Sequence, residues 1–210
     1  MNTIENKKIR KGSLDKRTKI IAAARELFLA EGFNQSSVDA IAYRAGVSKR
    51  TVYDYYGDKQ HLLLTVMEET SSTVLNMIEQ AISDHLLEFD DLEQALILFC
   101  EQIVVFANGS SDYKALIRLT IVEVANLPES FYEDMDRATE EGIIKRFIAF
   151  GENKLLNIPD PHMATKHFVA LTILLVFNQP KPENLDQEQV KHIITEGVRV
   201  FLRAYAPIRS

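Results

Sequence analysis

In the stretch SSVDAIAYRAGVSKRTVYDYYGDKQHLL, Ser36 to Leu63, hydroxyl, ammonium, guanidinium and phenol groups recur at short intervals. Lys49, Arg50 and Thr51 are consecutive, Tyr53 and Tyr55 follow, and Ser37 and Lys59 flank them. All can donate hydrogen bonds, and three carry positive charge. That is the chemistry of contact with a nucleic acid: lysine and arginine attract phosphates and bond guanine edges, while tyrosine hydroxyls reach phosphates and the rings touch thymine methyls. Each residue also has a plainer reading, Lys49 and Arg50 as solvated charges and Tyr53 and Tyr55 as half-buried helix aromatics. Tyr56 is expected to pack inward.

No competing catalytic arrangement is visible. The sequence has no Gly-x-Ser-x-Gly elbow, no His-Glu-x-x-His pair and no phosphate-loop Gly-Lys-Ser/Thr. His162 and His167 are five apart and do not share a helical face as i, i+4 metal ligands would. The expectation is therefore no enzyme, no catalytic residue, no metal and no cofactor. Cys100, the single cysteine, lies in the apolar run Leu96 to Ala107 and reads as a small buried thiol.

These groups need a scaffold, and the apolar pattern supplies a helical one. Val38, Ile41, Ala42 and Ala45 fall at i, i+3, i+4 and i+7, the spacing of one buried helical stripe. Ser36 or Ser37 can cap that helix, Gly46 can end it in a positive-φ turn, Val47 can plug the angle, and Ser48 can cap a third helix over Lys49 to Tyr56. Two short helices joined through a glycine turn make a helix-turn-helix, suited to a major groove. A first helix over Asp15 to Glu31, with Ile20, Ala24, Leu27 and Phe28 on one face, precedes them, and a long one from Asp58 toward Ser83 follows.

Further helices are expected over Asp91 to Asn108, Ser111 to Asn126, Glu129 to Asn157, Pro161 to Asn178 and Asp186 to Tyr205. The fold class is all-α with about nine helices: an N-terminal three-helix domain over residues 1–57 and a helical ligand-binding and dimerisation domain over 58–210. Pro128, the Pro159-Asp-Pro161 segment and the Pro180-Lys-Pro182 segment punctuate the later helices.

Charge follows the same division. The net −6 of the 210 residues combines a head, residues 1–57, with 11 Lys or Arg against 6 Asp or Glu, and a remainder with 13 against 24. A head of net +5 suits a polyanion, whereas a body of net −11 does not. Lys7, Lys8, Arg10 and Lys11 form a basic arm for the DNA backbone or minor groove, or a disordered tail. The N-terminus lacks the apolar stretch of a signal peptide, and the run Phe168 to Phe177 is well short of the ~20 residues that span a bilayer. A cytoplasmic location and no membrane partner are the expectations.

The run from Leu27-Phe28 and Glu31-Gly32-Phe33 through Ala45-Gly46-Val47-Ser48-Lys49 to Tyr53, Tyr55 and Lys59 closely resembles the N-terminal pattern of the tetracycline-repressor (TetR) family. Arg50 stands where that family often has a small residue, Tyr56 where it usually has Phe, and Gly57 where Pro is common. The segment ALIRLTIVEVANLPESFYEDM, Ala115 to Met135, resembles the C-terminal domain of the AefR-like subgroup, in which Arg118 and Glu123 recur. The resemblance implies a DNA-binding transcriptional regulator, a repressor released from a palindromic operator by a small apolar or amphipathic effector. It directs Tyr53 toward bases and Tyr55 toward phosphate, while the charge of Lys59 and the exposed amides of the first turn of the fourth helix favour a phosphate there.

For the body, Phe99, Phe106, Leu116, Phe147 and Phe150 are expected to line a ligand cavity, with core packing as the plain alternative. Glu101 is read as a polar group in a pocket or as a solvent-facing charge, and Arg118 and Glu123 as a structural ion pair or helix-surface charges. A homodimer through the last two helices is expected from the stripe Val190, Ile193, Ile194, Gly197, Val198, Phe201, Leu202 and Tyr205 together with Phe168 to Phe177, apolar nearly all round, so that one face can pack inward and another against a partner. Close approach across a twofold axis would offset the ~1 kcal/mol that Gly197 costs in helix propensity. Two other classes stand against this reading. A helical enzyme would need turnover, and a ligand-independent structural DNA-binding protein would leave the acidic, apolar-rich body without a purpose.

Overall fold

The structure, a computed structural model, describes residues 11–111, 114, 119 and 127–207. Its described elements are all helical: α1 (Lys11–Glu31), α2 (Val38–Ala45), α3 (Lys49–Tyr56), α4 (Lys59–His85), α5 (Leu92–Gly109), α6 (Glu129–Glu152), α7 (Pro161–Leu171), α8 (Ile173–Phe177), a 3-10 turn (Pro182–Asn184) and α9 (Gln187–Ala204). The helix expected over Ser111 to Asn126 lies outside the described residues, as do Lys7, Lys8 and Arg10 of the basic arm, Leu116, Arg118 and Glu123. The chain divides into two compact units, Met1–Ser71 with Ala115–Pro128, and Ser72–Lys114 with Glu129–Ser210. The division falls within α4.

In the first unit the expected stripes are the buried ones. Ile20, Ala24, Leu27 and Phe28 of α1 and Val38, Ile41, Ala42 and Ala45 of α2 are all in the core. Gly32 takes φ 82°, and Phe33 then turns back so that its ring lies 5.7 Å from that of Phe28. Gly46 caps α2 in the left-handed region (φ 67°, ψ 35°), and Val47 donates its N–H to Ala42 O at 3.0 Å. A side chain at Gly46 would meet open space, so it is the backbone conformation that requires glycine there.

The second unit is held by rings. Phe99, Phe147, Phe168 and Phe201 are fully buried and Phe150 nearly so. Burying a side chain of this size contributes ~1.5–3 kcal/mol relative to leaving it exposed. By length and composition alone, helix α5 is apolar enough to cross a membrane. Eight of its residues, Phe99 and Cys100 among them, are buried in this unit, which accounts for that composition.

Three expected boundaries move for local reasons. The first helix starts at Lys11 rather than Asp15. The helix expected to reach Asn157 stops at Glu152: Lys154 takes φ 58°, Leu155 and Leu156 donate to Phe150 O at 2.9 and 3.3 Å, and the reversal buries Leu156. The helix expected over Pro161 to Asn178 breaks at Thr172 (φ −118°, ψ −85°), whose Oγ1 donates to Phe168 O at 2.6 Å. A threonine hydroxyl bonded to the i−4 carbonyl competes with regular helix geometry.

Candidate functional site

The helix-turn-helix is assembled from its caps. Ser37 Oγ accepts from Ala40 N at 3.1 Å at the start of α2, and Ser36 Oγ instead donates to Gly32 O at 2.7 Å, which resolves the choice of cap. Ser48 caps α3 by accepting from Thr51 N at 3.1 Å, and its hydroxyl lies 2.8 Å from Thr51 Oγ1. Asp58 accepts from His61 N at 2.8 Å at the entry to α4. Its carboxyl is held below the usual range by that backbone bond first and by the His61 ring second. Each cap satisfies amides that a helix leaves unpaired at its start.

Helix α3 then sorts its residues by face. Val52 and Tyr56 are buried, whereas Lys49, Arg50, Tyr53 and Asp54 are exposed and Thr51 and Tyr55 half-buried. Tyr56 packs inward, its hydroxyl donating to Arg17 O at 3.2 Å and the Arg17 guanidinium lying 5.9 Å from its ring centre. Burial pushes its phenol up. Tyr53 is 43% exposed and shares the outer face with Lys49 and Arg50. Tyr55 lies beside Tyr56, with ring centres 6.3 Å apart.

The cations on this face have partners in the same unit. Lys49 Nζ donates to Asp39 Oδ2 at 2.8 Å, and that hydrogen bond and charge hold the ammonium above its ordinary range. Arg50 Nε lies 3.9 Å from Asp54 Oδ2. Lys59, expected to favour a phosphate from the first turn of the fourth helix, has two backbone partners of its own. Its ammonium donates to Phe33 O at 2.6 Å and Ser36 O at 2.9 Å and lies 4.2 Å from the Phe33 ring centre. One of its three N–H groups is left over from these two bonds.

Sequence reasoning passed over Tyr43, which is 90% exposed on α2. The signal was present, since Tyr43 falls outside the Val38/Ile41/Ala42/Ala45 stripe and four residues after Asp39. Tyr43 and Arg44 border a cleft of about 560 Å³ whose other wall is α1, with Asp15, Lys16, Lys19 and Glu26. Arg44 closes one side through a two-point pairing with Glu26, Nε to Oε2 at 2.7 Å.

In the second unit, the rings expected to line a cavity are packed on one another. Phe147 lies 6.0 Å from Phe150, 5.4 Å from Phe168 and 5.2 Å from Phe201, and Phe99 lies 6.3 Å from Phe168. Phe106 is half-buried. Glu101 borders a groove of about 460 Å³ with Val104, Val105, Leu185, Val190 and Lys191. Cys100 is fully buried, and its thiol is pushed up to about 12, chiefly by that burial, consistent with a packing role. Among the described residues no group of three or more His, Cys, Asp or Glu could hold a metal ion.

Of the apolar faces expected on the last two helices, the α9 stripe is the one turned inward. Ile194, Gly197, Val198 and Phe201 are buried in their own unit, and the space opposite Gly197 is taken by Leu171 of the same chain. The exposed apolar side chains of the last helices are instead Met163, Leu174, Leu175 and Val200. His167 Nδ1 and the Tyr205 hydroxyl lie 2.8 Å apart and tie α7 to the end of α9.

Comparison with known proteins adds two family matches. Residues 20–66 match bacterial regulatory proteins of the TetR family, and residues 94–207 match the C-terminal domain of AefR-like transcriptional repressors. The chain is 32% identical over 68 residues to the HTH-type transcriptional activator FasR of Mycolicibacterium smegmatis, which spans 32% of this chain and 31% of that protein. It is 34% identical over 65 residues to the fatty acid metabolism regulator protein of Bacillus subtilis, 31% of this chain and 34% of that one. These alignments thus span about a third of each curated relative. The structure of the flavonoid-responsive regulator FrrA superposes with a TM-score of 0.70 at 28% identity, covering 93% of this chain and 98% of that one.

Proposed function

The chain belongs to the TetR family of bacterial regulatory proteins, and from that membership we propose a cytoplasmic, homodimeric transcriptional repressor, released from a palindromic double-stranded operator by a small ligand. Residues 1–57 bind DNA, and residues 58–210 sense the ligand and dimerise. The observation that carries this reading is the outward face of α3, where Lys49, Arg50 and Tyr53 stand together on a helix capped at Ser48 and set by the Gly46 turn. Arg50 and Tyr53 read bases, Ser37, Thr51 and Tyr55 bond phosphates, Lys49 serves either, and Lys59 offers its remaining N–H to a phosphate.

Selection from random duplexes is expected to enrich a palindrome, because half-sites mirror the twofold symmetry of the protein. Arg50→Ala is expected to relax the preference at one base pair of each half-site, at ~1–3 kcal/mol per contact. Selection without palindromic enrichment would sink the assignment.

Met163, Leu174, Leu175 and Val200 supply the apolar part of the dimer face, and the buried stripe of α9 braces it from behind. No catalytic role is assigned to any residue. The effector is apolar or amphipathic, a fatty acyl compound or a flat aromatic. This rests on the apolar middle helices and on relatives named for fatty acid metabolism and for flavonoid response. Phe99, Phe106, Leu116, Phe147 and Phe150 are the proposed wall, so binding must part rings that otherwise pack on one another, and the ligand must favour the DNA-incompetent arrangement, since equal affinity for both states shifts nothing.

Titrating fatty acyl compounds, flavonoids and bile-salt-like amphiphiles against operator-bound protein, read by fluorescence anisotropy, is expected to find one that lowers operator affinity. The drop should be roughly 5-fold to 150-fold. Compounds that bind the protein without changing operator affinity would remove the sensing role and leave DNA binding intact.

A further inference from the structure

The charges of α3 are placed against the helix's own interest. Lys49 and Arg50 are its first two residues, where the positive end of the helix dipole disfavours cations, and Asp54 lies in its last turn, where the negative end disfavours a carboxylate. Arg50 and Asp54 are also paired in the less favourable order, cation before anion. Asp39 reaches Lys49 from α2, with both side chains half or more exposed, 68% and 50%. Exposed pairs of this kind add little to stability. The result is a DNA-facing surface with two cations and two carboxylates, in a head whose overall charge is positive.

We propose that Asp39 and Asp54 are specificity-determining residues: by neutralising Lys49 and Arg50 off target, they make the recognition helix bind DNA only where bases compete for those cations. The proposal rests on the DNA-binding reading above. Affinity for any duplex comes from cations that displace counterions from phosphates, and a lysine already satisfied by a carboxylate displaces fewer. A guanine edge offers both the O6 and N7 acceptors to an arginine or lysine, in a fixed geometry that a phosphate lacks. The cation therefore leaves its carboxylate for the right base and keeps it against the wrong one. Asp39 acts through Lys49, and Asp54 through Arg50.

The test uses the full-length protein, its selected palindromic duplex and a shuffled duplex of equal length, with affinities measured from 50 to 200 mM salt. In Asp39→Asn and in Asp54→Asn, binding to the shuffled duplex is expected to tighten. The slope of log affinity against log salt should steepen by about 0.9 for each freed cation, equivalent to roughly 3.5-fold across that salt range. Operator binding should tighten less, so that discrimination falls. In a Lys49→Met background, Asp39→Asn should leave the slope on the shuffled duplex unchanged. Three results would overturn the proposal: an unchanged slope in both single variants, equal tightening on both duplexes, or a loss of operator binding alone, which would make the carboxylate itself the base contact. If the wild-type protein selects no duplex at all, the DNA-binding reading falls, and this proposal with it.

Discussion

Replacing Lys59 by methionine is expected to destabilise the DNA-binding unit by about 2 kcal/mol in the absence of any DNA. Two backbone carbonyls, Phe33 O and Ser36 O, depend on its ammonium at 2.6 and 2.9 Å, and the same ammonium sits over the Phe33 ring. Both carbonyls belong to the link between α1 and α2, where regular helical partners are missing. Hydrogen bonds to a charged group contribute ~1.5–3 kcal/mol each when intact, and partial exposure lets water replace some of that loss. The carbonyls also offset a cation at the first residue of α4, where the helix dipole opposes it. Methionine keeps most of the stem's packing and removes only the charge and its donors.

The same substitution is expected to lower the salt slope of operator binding by about 0.9, through the loss of the N–H left for a phosphate. The two effects are read separately, one by thermal melting and hydrogen exchange of residues 33–38 without DNA, the other by affinity against salt. A variant with normal stability and a reduced slope would make Lys59 a phosphate contact alone. A destabilised variant with an unchanged slope would make it a brace between α4 and the α1–α2 link alone.

Lys59 also marks where sequence reading reaches its limit. The helix-turn-helix was legible because its signals are local: a four-position apolar stripe, a glycine at a turn, and serines immediately ahead of α2 and α3. The partner of a long flexible cation is not local, and nothing in the spacing connects Lys59 to carbonyls 23 and 26 residues earlier. Lys49 and Asp39, ten residues apart across the turn, are a second case. In the body, periodicity identified which face of α9 is apolar but not what covers it. A stripe that packs on its own chain and one that packs on a partner have the same spacing. Rings such as Phe147 and Phe150 were legible as buried, but whether they fill space or surround it depends on neighbours that converge only in the folded unit.

Gly197→Ala is expected to lower the melting temperature of the protein by roughly 4–8 °C, although alanine is the better helix former by ~1 kcal/mol. A methyl group at this position would lie 1.9 Å from Leu171 O, 2.8 Å from the Leu171 carbonyl carbon and 3.1 Å from Thr172 Cγ2. The first two atoms are backbone and cannot rotate aside. They sit where α7 gives way to α8, and the Thr172 hydroxyl there is already committed to Phe168 O. Helix α9 would have to withdraw from the junction and open contacts around Val198 and Phe201, both fully buried. Overpacking of a core typically costs ~1–3 kcal/mol, and a clash with main chain places this case at or beyond the upper end, so about 2 kcal/mol remains after the gain in propensity. Because the close approach is within one chain, the loss should be the same at low and high protein concentration. If the glycine instead allowed two subunits to meet, the variant would dissociate in sedimentation at micromolar concentration, and its melting temperature would differ from wild type only where the wild-type protein is dimeric.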